Sequence, residues 1–349
     1  MKLSDFLIGY KPDVRQIQQV GNMIVLPILS EQEFTQNFED VDAVQLKHDH
    51  DYGRMEFCNS GSKIGILMQG ATILTRQRAQ DRTVPRTKIF AGKAAKEVDV
   101  YCVQPNQSGH INLAQLAEEY GNEVSYKILA PGLRSAALEM SSRHDHSFSQ
   151  LWQSIERYSQ GFGGIRRNLI SLYDENTEKL NQFVAQFEPV HNQVGAVVFI
   201  NNNLVAVDVL PTYRSWSIMW RTLLRDSYGM EALRLIALEG SQMLNYKINL
   251  DDIATLDDLE TAMNDAETAF IEAVRNLWAG SAGAEVHITK TDRIAGAECL
   301  NIECGDMFGQ TVIHDNHCVY MSLVPKGSTY ENKPKFKRSN IYGNDQFGF

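Results

Sequence analysis

Short apolar runs alternate with turn residues through the first 130 residues, and this pattern predicts a β-rich region. The clearest candidate strands are NMIVLPI (22–28), RMEFC (54–58) and KEVDVYCV (96–103). Two further runs, at 63–68 and 72–78, flank Gln69-Gly70-Ala71, which predicts a tight hairpin because glycine readily adopts a turn conformation.

Apolar residues recur at helical spacing in the rest of the chain, interrupted by strand patterns. The candidate helices cover 148–160, 169–187, the region around 216–224, and 255–280. A long helix after Trp216 is expected to be interrupted at Gly229, and Thr255 with Asp258 has the form of a capping box. Three asparagines, 201–203, separate GAVVFI from LVAVDVL and predict a hairpin because asparagine tolerates positive φ. The last candidate strands are 285–290, 298–304 and 318–324.

These patterns predict an α+β protein with a β-rich N-terminal part and a mixed helix and strand C-terminal part. We place a boundary at Pro131-Gly132. The expected organisation is a β-rich region at 1–130, an α+β region at 131–325, and a polar C-terminal tail or arm at 326–349. An undivided α+β core is the alternative.

Composition favours a globular protein of the cytoplasm. The chain has 349 residues, of which 43% are hydrophobic and 22% charged, enough to bury one large core or two smaller ones. The start has Asp5 where a signal peptide needs an apolar core, and no run reaches the length of a membrane span. Five cysteines without a CxxC pattern indicate reduced thiols rather than disulfides or a zinc ribbon.

Charge is distributed unevenly along the chain. The formal net charge is −10, which disfavours generic binding to nucleic acid. Residues 63–96 nevertheless carry eight basic side chains and one acid, Asp81. Segregation of this kind can focus a small anion into a cleft, although a solvated sheet face gives the same pattern.

The stretch GATILTRQRAQDRTVPR, 70–86, contains the arginines of interest. Guanidinium groups bind phosphate or carboxylate in a bidentate manner, an acid can orient them, and amides can recognise a base or ribose. We therefore expect a small nucleotide-like ligand to bind Arg76, Gln77, Arg78, Gln80, Asp81, Arg82 and Arg86. An edge strand that uses charge to prevent aggregation is the alternative.

Histidine and aspartate are grouped at 48–51, 144–146 and 314–317. Imidazole and carboxylate are ligands for zinc, manganese or iron, so a divalent metal is a possible cofactor. Its candidate ligands are His48, His50, His144 and His146. Polar loops in which these residues serve turns are the alternative. Patterns for a dinucleotide fingerprint, P-loop, nucleophile elbow, HExxH motif and EF-hand are absent from the sequence, so no catalytic residue is assigned.

Three blocks of the sequence form a recognisable set: GNMIVLPIL, then GILMQGATILTRQRAQDRTVPR followed by VDVYCVQPNQSGH, and finally VGAVVFINNNLVAVDVLPTYRSWSIMWRTLLRDSYGMEAL. Together they resemble a domain family named for its association with ADP-ribosylglycohydrolase and rhodanese-phosphatase proteins. The resemblance covers about residues 20–240. Gln77-Arg78 or Gln80-Asp81-Arg82 matches the family's basic Gln-Arg element. Tyr101-Cys102-Val103 matches its strand-end element, but Gln104 replaces the usual acid and Gly109-His110 replaces an Arg-Trp pair.

The resemblance implies a link to NAD and ADP-ribose metabolism, which agrees with the arginine segment. Our first hypothesis is a protein that senses or sequesters an ADP-ribose-type or other nucleotide-derived anion, a role that suits a bacteriophage or bacterial conflict system. The second is an enzyme that hydrolyses or modifies NAD or ADP-ribose derivatives. The third is a structural or assembly protein. A homo-oligomer is expected.

Overall fold

The computed structural model describes residues 1–51, 53–74, 80–105, 126–143, 148–165, 168–244, 248 and 253–327. The fold is α+β. Its strands are β1 (Tyr10–Pro12), β2 (Gln18–Val20), β3 (Met23–Ser30), β4 (Val44–Asp51), β5 (Arg54–Asn59), β6 (Gly65–Leu67), β7 (Ala71–Ile73), β8 (Arg82–Thr83), β9 (Lys88–Phe90), β10 (Ala95–Asp99), β11 (Tyr101–Cys102), β12 (Tyr126–Ile128), β13 (Gln193–Ile200), β14 (Asn203–Val209), β15 (Val286–Ile294), β16 (Ala297–Cys304), β17 (Met307–His314) and β18 (His317–Pro325).

Most of the helices lie between β12 and β15 in the chain. The helices are α1 (Leu3–Phe6), α2 (Pro131–Ser142), α3 (Phe148–Gln160), α4 (Leu169–Glu175), α5 (Thr177–Val184), α6 (Tyr213–Thr222), α7 (Met230–Glu239) and α8 (Leu256–Ala282). A π-helical turn, Leu223–Gly229, joins α6 to α7, and short 3₁₀ turns occupy Val14–Gln16 and Val41–Ala43. None of the helices in these described ranges is long and apolar enough to cross a membrane.

One large antiparallel sheet organises the molecule. Its strand order is β1-β3-β13-β14-β18-β17-β16-β15, with β2 also paired to β3. The sheet therefore joins chain from both sides of residue 130. Three smaller sheets, with orders β10-β5-β4, β11-β8-β7-β12 and β6-β9, come from the N-terminal part.

Both faces of the large sheet are apolar, so each is covered. In β3, Met23 and Val25 belong to one core cluster, whereas Ile24 and Leu26 belong to the other. This alternation follows from the two-residue period of a strand. Helices α1 and α8 pack on the second face, and the smaller sheets, α6, α7 and the π-helical turn pack on the first.

Several predicted elements are confirmed. The hairpin at 195–210 is formed by β13 and β14, and Asn201 and Asn202 in its turn have φ of 49° and 62°. Helix α8 begins at the predicted capping box, in which Asp258 N donates to Thr255 Oγ1 (3.1 Å) and Thr255 N donates to Asp258 Oδ2 (2.8 Å).

The hairpin predicted through Gln69-Gly70-Ala71 is wrong. Strand β6 pairs with β9, and β7 pairs with β8 and β12. The turn at Gly70, with φ of 77°, directs the chain onto a later segment: Gly70 N donates to Val84 O, and Val84 N donates to Ala71 O, both at 2.8 Å. Gly229 also does not interrupt its helix, because its φ of −62° is helical and the π-helical turn continues into α7.

Candidate ligand-binding site

Three of the predicted ligand-binding residues lie at the junction of β8 and β11. These short strands pair antiparallel, with Cys102 opposite Arg82 and Tyr101 opposite Thr83. Val103 N donates to Asp81 O at 3.0 Å and extends the ladder by one bond. The backbone thus holds Gln80, Asp81 and Arg82 beside the segment that begins at Tyr101.

The side chains of the two segments are also joined. Cys102 Sγ donates to Gln80 Oε1 at 2.8 Å, and Gln104 Nε2 donates to Asp81 Oδ2 at 2.6 Å. All four side chains belong to buried residues. Buried polar groups are held in place when they are hydrogen-bonded to each other, so this arrangement is rigid. We call Gln80, Asp81, Arg82, Cys102, Gln104 and Asp49 the β8 cluster.

Asp49 joins the cluster through an ion pair. Arg82 Nη1 donates to Asp49 Oδ1, and both side chains are essentially inaccessible to solvent. Removing two charges from water costs as much as their attraction returns, so a buried pair adds little net stability by itself. Its value lies in fixing geometry: it links β8 to β4 of a different small sheet. The guanidinium of Arg82 is therefore a positioning group in this arrangement.

The thiol of Cys102 lies inside the cluster. Burial raises the pKa of Cys102, and the nearby Arg82 guanidinium partly opposes that effect. The Cys102 carbonyl accepts a hydrogen bond from Trp152 Nε1 at 2.9 Å, which ties α3 to the cluster. Because its pKa is raised, the Cys102 thiol is protonated at neutral pH, and it acts as a weak hydrogen-bond donor rather than as a nucleophile.

Thiol labelling provides a test of this burial. We expect a thiol reagent at pH 8 to label Cys58 first in the native protein, because Cys58 is partly exposed and the other four cysteines are buried. Burial raises the pKa of Cys102, Cys299, Cys304 and Cys318, the last to about 12, so their reactive thiolates are scarce. Mass spectrometry of timed samples checks the order, with denatured protein and Cys58→Ser as controls. Rapid native labelling of Cys102 would contradict the described cluster.

Arg86, a fourth predicted residue, follows β8 and lies half-buried. Its Nη2 donates to Ser142 Oγ, at the end of α2, at 2.9 Å. Burial lowers the pKa of Arg86, and the charged forms of Tyr101 and Cys299, rather than a carboxylate, oppose that effect. Among the described residues no ion pair includes Arg86, and its buried Nε has no hydrogen-bond partner there. Arg82 is thus paired with an acid, whereas Arg86 is a desolvated cation without one in the described part of the chain.

Gln69, which the sequence predicted only as a turn residue, shares a hydrogen-bond partner with Thr87, the residue that follows Arg86. Tyr320 Oη accepts from Gln69 N at 3.3 Å and from Thr87 Oγ1 at 3.1 Å. The Gln69 side chain is 1% exposed, and neither its Oε1 nor its Nε2 has a partner among the described residues. An amide buried in this way costs free energy unless water or a ligand satisfies it.

A second buried ion pair lies between α2 and the large sheet. Arg134 binds Asp208 in a bidentate manner, with Nη1–Oδ1 of 2.8 Å and Nη2–Oδ2 of 3.1 Å. Nη1 also donates to Ser322 Oγ (2.9 Å), and Tyr228 Oη donates to Asp208 Oδ2 (2.6 Å). The π-helical turn presents Ser227 and Tyr228 to this network, in keeping with the use of such turns to aim side chains. The network is fully buried and fixes α2 on the sheet.

Most of the remaining predicted site residues belong to parts of the chain beyond the described ranges. Arg76, Gln77, Arg78, His144 and His146 lie outside the described residues, as does the side chain of His50. His48 is exposed on β4. Within the described ranges, no group of three or more His, Cys, Asp or Glu side chains is placed to hold a metal ion. Asp49, which the sequence grouped with these histidines, pairs with Arg82 instead.

Comparison with known families gives a match over residues 11–324, to the model described as the ARG and Rhodanese-Phosphatase-superfamily-associated Protein domain. The chain belongs to this family. The match confirms the resemblance seen in the sequence and extends it beyond residue 240, through β15–β17 and into β18. No curated protein and no solved structure matches the chain.

Two of the motifs that carry the family resemblance meet in space. Gln80-Asp81-Arg82 and Tyr101-Cys102-Val103 both belong to the second of the three blocks, and they form the β8–β11 ladder. Gln104 stands where the family has an acid. As an amide it donates to Asp81, which a carboxylate at that position could not do in its ionised form. Gly109 and His110 lie outside the described residues.

Proposed function

We propose that this protein binds a nucleotide-derived anion, such as an ADP-ribose-type ligand, in order to sense or sequester it. One observation carries the proposal: Arg86 is a half-buried guanidinium that no described acid neutralises. A desolvated cation is costly unless an anion lies against it, and phosphate matches the geometry of the guanidinium fork. A bound phosphate would oppose the effect of burial on the pKa of Arg86.

Other polar groups of the protein suit the rest of such a ligand. The Gln69 amide offers a donor and an acceptor with no described partner, suited to a phosphate oxygen or a ribose hydroxyl. The β8 cluster lies just before Arg86 in the same segment of the chain. We assign Gln80 to polar groups of the ligand and Asp81 to the orientation of the arginines. Arg76, Gln77 and Arg78 lie just before this cluster in sequence, and we assign the two arginines to the phosphates and the Gln77 amide to a base or ribose. The family's described association with ARG proteins agrees with a ligand of this class.

Substitution of Arg86 tests the proposal. We expect Arg86→Met to weaken binding of ADP-ribose by about 10–100-fold, since a charge-assisted hydrogen bond is worth about 1.5–3 kcal/mol. Arg86→Lys should have an intermediate affinity because lysine keeps the charge but loses the fork. Isothermal titration calorimetry checks both. The control is Arg275→Met, an exposed arginine on α8, which packs on the opposite face of the large sheet.

Gln69→Leu separates binding from folding. Because the buried amide has no described partner, leucine should leave the melting temperature equal or higher while ADP-ribose binding falls. Unchanged affinity in both Arg86→Met and Gln69→Leu would refute the site. Absence of calorimetric binding of ADP-ribose, NAD and cyclic dinucleotides to the unaltered protein would refute the function.

Recovery of the ligand distinguishes binding from turnover. After incubation and heat denaturation, intact ADP-ribose in the supernatant supports sequestration, whereas altered ligand supports the enzyme hypothesis. A cytoplasmic location and a homo-oligomer remain predictions that accompany this function. Fractionation of cells and light scattering of the purified protein test them.

A further inference from the structure

A cleft opens at one end of the large sheet, between β14 and the β16–β17 hairpin. Strand β14 pairs with β18 from Val207, opposite Leu323, to Val209, opposite Met321. Toward the hairpin end the pairing stops, and Pro325 closes β18 there without a backbone N–H to donate. The strands are therefore free to separate, and the cleft enters the sheet at this point with a volume of about 350 Å³.

Apolar side chains form most of the walls. They come from six elements that meet at this end of the molecule: Leu3, Phe199, Leu204, Leu235, Leu277 and Met307. A cavity of this size and lining is typical of sites that bury a small ligand. Apolar wall area left uncovered is unfavourable in water, so an aliphatic occupant is stabilised by the hydrophobic effect.

The charges at the cleft all have one sign. Its only charged lining residues, in the part of the chain described, are Glu239 at the end of α7 and Asp306 in the β16–β17 turn, and both are exposed. Lysine, arginine and histidine do not occur among the described lining residues. Two carboxylates at an apolar opening attract a cation and repel an anion.

We propose that this cleft binds an amphiphile with an aliphatic chain and a cationic head group. The chain lies among the apolar walls and the head lies near Glu239 and Asp306. A chain of about ten carbons fits the volume, since a methylene group is about as large as a water molecule, roughly 30 Å³. This site is separate from the one proposed for the nucleotide-derived anion, whose charge preference is opposite.

Gly280 provides a way to fill the cleft. It lines the cavity near the end of α8, and a Cβ added there would meet no heavy atom within 4 Å. A larger side chain at 280 is therefore compatible with the helix and would occupy space that the ligand needs. Ala279, the preceding residue, is exposed and does not line the cleft, which makes it a matched control.

The test uses decyltrimethylammonium, decanol and decanoate below their aggregation concentrations, measured by calorimetry with the full chain. We expect affinity to fall in that order, and Gly280→Leu to weaken decyltrimethylammonium binding at least about tenfold while Ala279→Leu does not. The double variant Glu239→Gln with Asp306→Asn, both surface changes, should bring decyltrimethylammonium to the affinity of decanol.

Equal or tighter binding of decanoate would overturn the assignment of a cationic head. No binding of any of the three, or unchanged affinity in Gly280→Leu with a retained cooperative thermal transition, would overturn the site. ADP-ribose binding measured on Gly280→Leu should equal that of the unaltered protein, so that failure of one site is distinguishable from failure of the other.

Discussion

Replacing Asp208 by asparagine is expected to lower the free energy of unfolding by about 3–5 kcal/mol, because Arg134 would remain buried without its counter-charge. The change is nearly isosteric, so the effect comes from charge and hydrogen bonding rather than from a cavity. Asp208 accepts hydrogen bonds from both Nη atoms of Arg134 and from Tyr228 Oη. All three residues, Asp208, Arg134 and Tyr228, are inaccessible to solvent. Urea unfolding followed by circular dichroism measures the loss.

A matched control is available on the surface. Glu31 pairs with Lys11 at 3.0 Å, but both side chains are largely exposed, so Glu31→Gln should change stability by less than about 1 kcal/mol. The double replacement Arg134→Met with Asp208→Leu should recover part of the loss, since it removes both charges together. Equal effects of Asp208→Asn and Glu31→Gln would contradict the buried network.

Gly309→Ala is expected to have an effect of about 4 kcal/mol or more, large enough to reduce the yield of folded protein. Gly309 lies in the middle of β17, and a Cβ there would sit 1.9 Å from the backbone oxygen of Ser322. That oxygen belongs to β18, whose pairing with β17 runs along both strands, so neither can shift without breaking the ladder.

A glycine-to-alanine substitution at a position with open space around it should instead increase the stability of the protein. Gly280→Ala adds its methyl group where no heavy atom lies within 4 Å, and alanine favours the helix by up to about 1 kcal/mol. Thermal unfolding of the two variants compares them directly. A Gly309→Ala protein as stable as the unaltered chain would show that β17 and β18 are not packed as described.

Local chemistry explains which elements could be predicted from the sequence. The asparagine run at 201–203 predicted the β13–β14 hairpin because its turn needs positive φ, and Thr255 with Asp258 predicted the start of α8 because both cap the same helix end. Both features depend on interactions between residues a few positions apart, so the local sequence is enough to predict the turn and the helix start.

Strand β17 and helix α2 were missed for a different reason. In β17, Gly309, Gln310 and Thr311 interrupt the apolar pattern, yet all three are buried because both faces of the sheet are covered. In α2, Arg134 breaks the apolar stripe that would mark a buried helix face. Its burial depends on Asp208, 74 residues away, which local periodicity cannot reveal.

In the candidate site, too, residues that are close in sequence could be predicted, whereas their partners from distant elements could not. The sequence singled out Gln80, Asp81, Arg82 and Arg86 because they lie close together in one basic segment. It did not identify their partners Asp49, Gln104 and Ser142, which arrive from β4, from the end of β11 and from α2. Such pairings are set by packing between elements that are distant in sequence, so local sequence patterns give no signal for them.

The strand order of the large sheet also governs when the protein can fold. Strand β3 emerges from the ribosome early but pairs with β13, which follows about 160 residues later. At about 5–20 residues per second the early strand waits roughly 8–30 s for its partner, and completion of the sheet waits for β18. During synthesis the apolar N-terminal strands are therefore exposed to aggregation, and expression in a host with abundant chaperones should increase the yield.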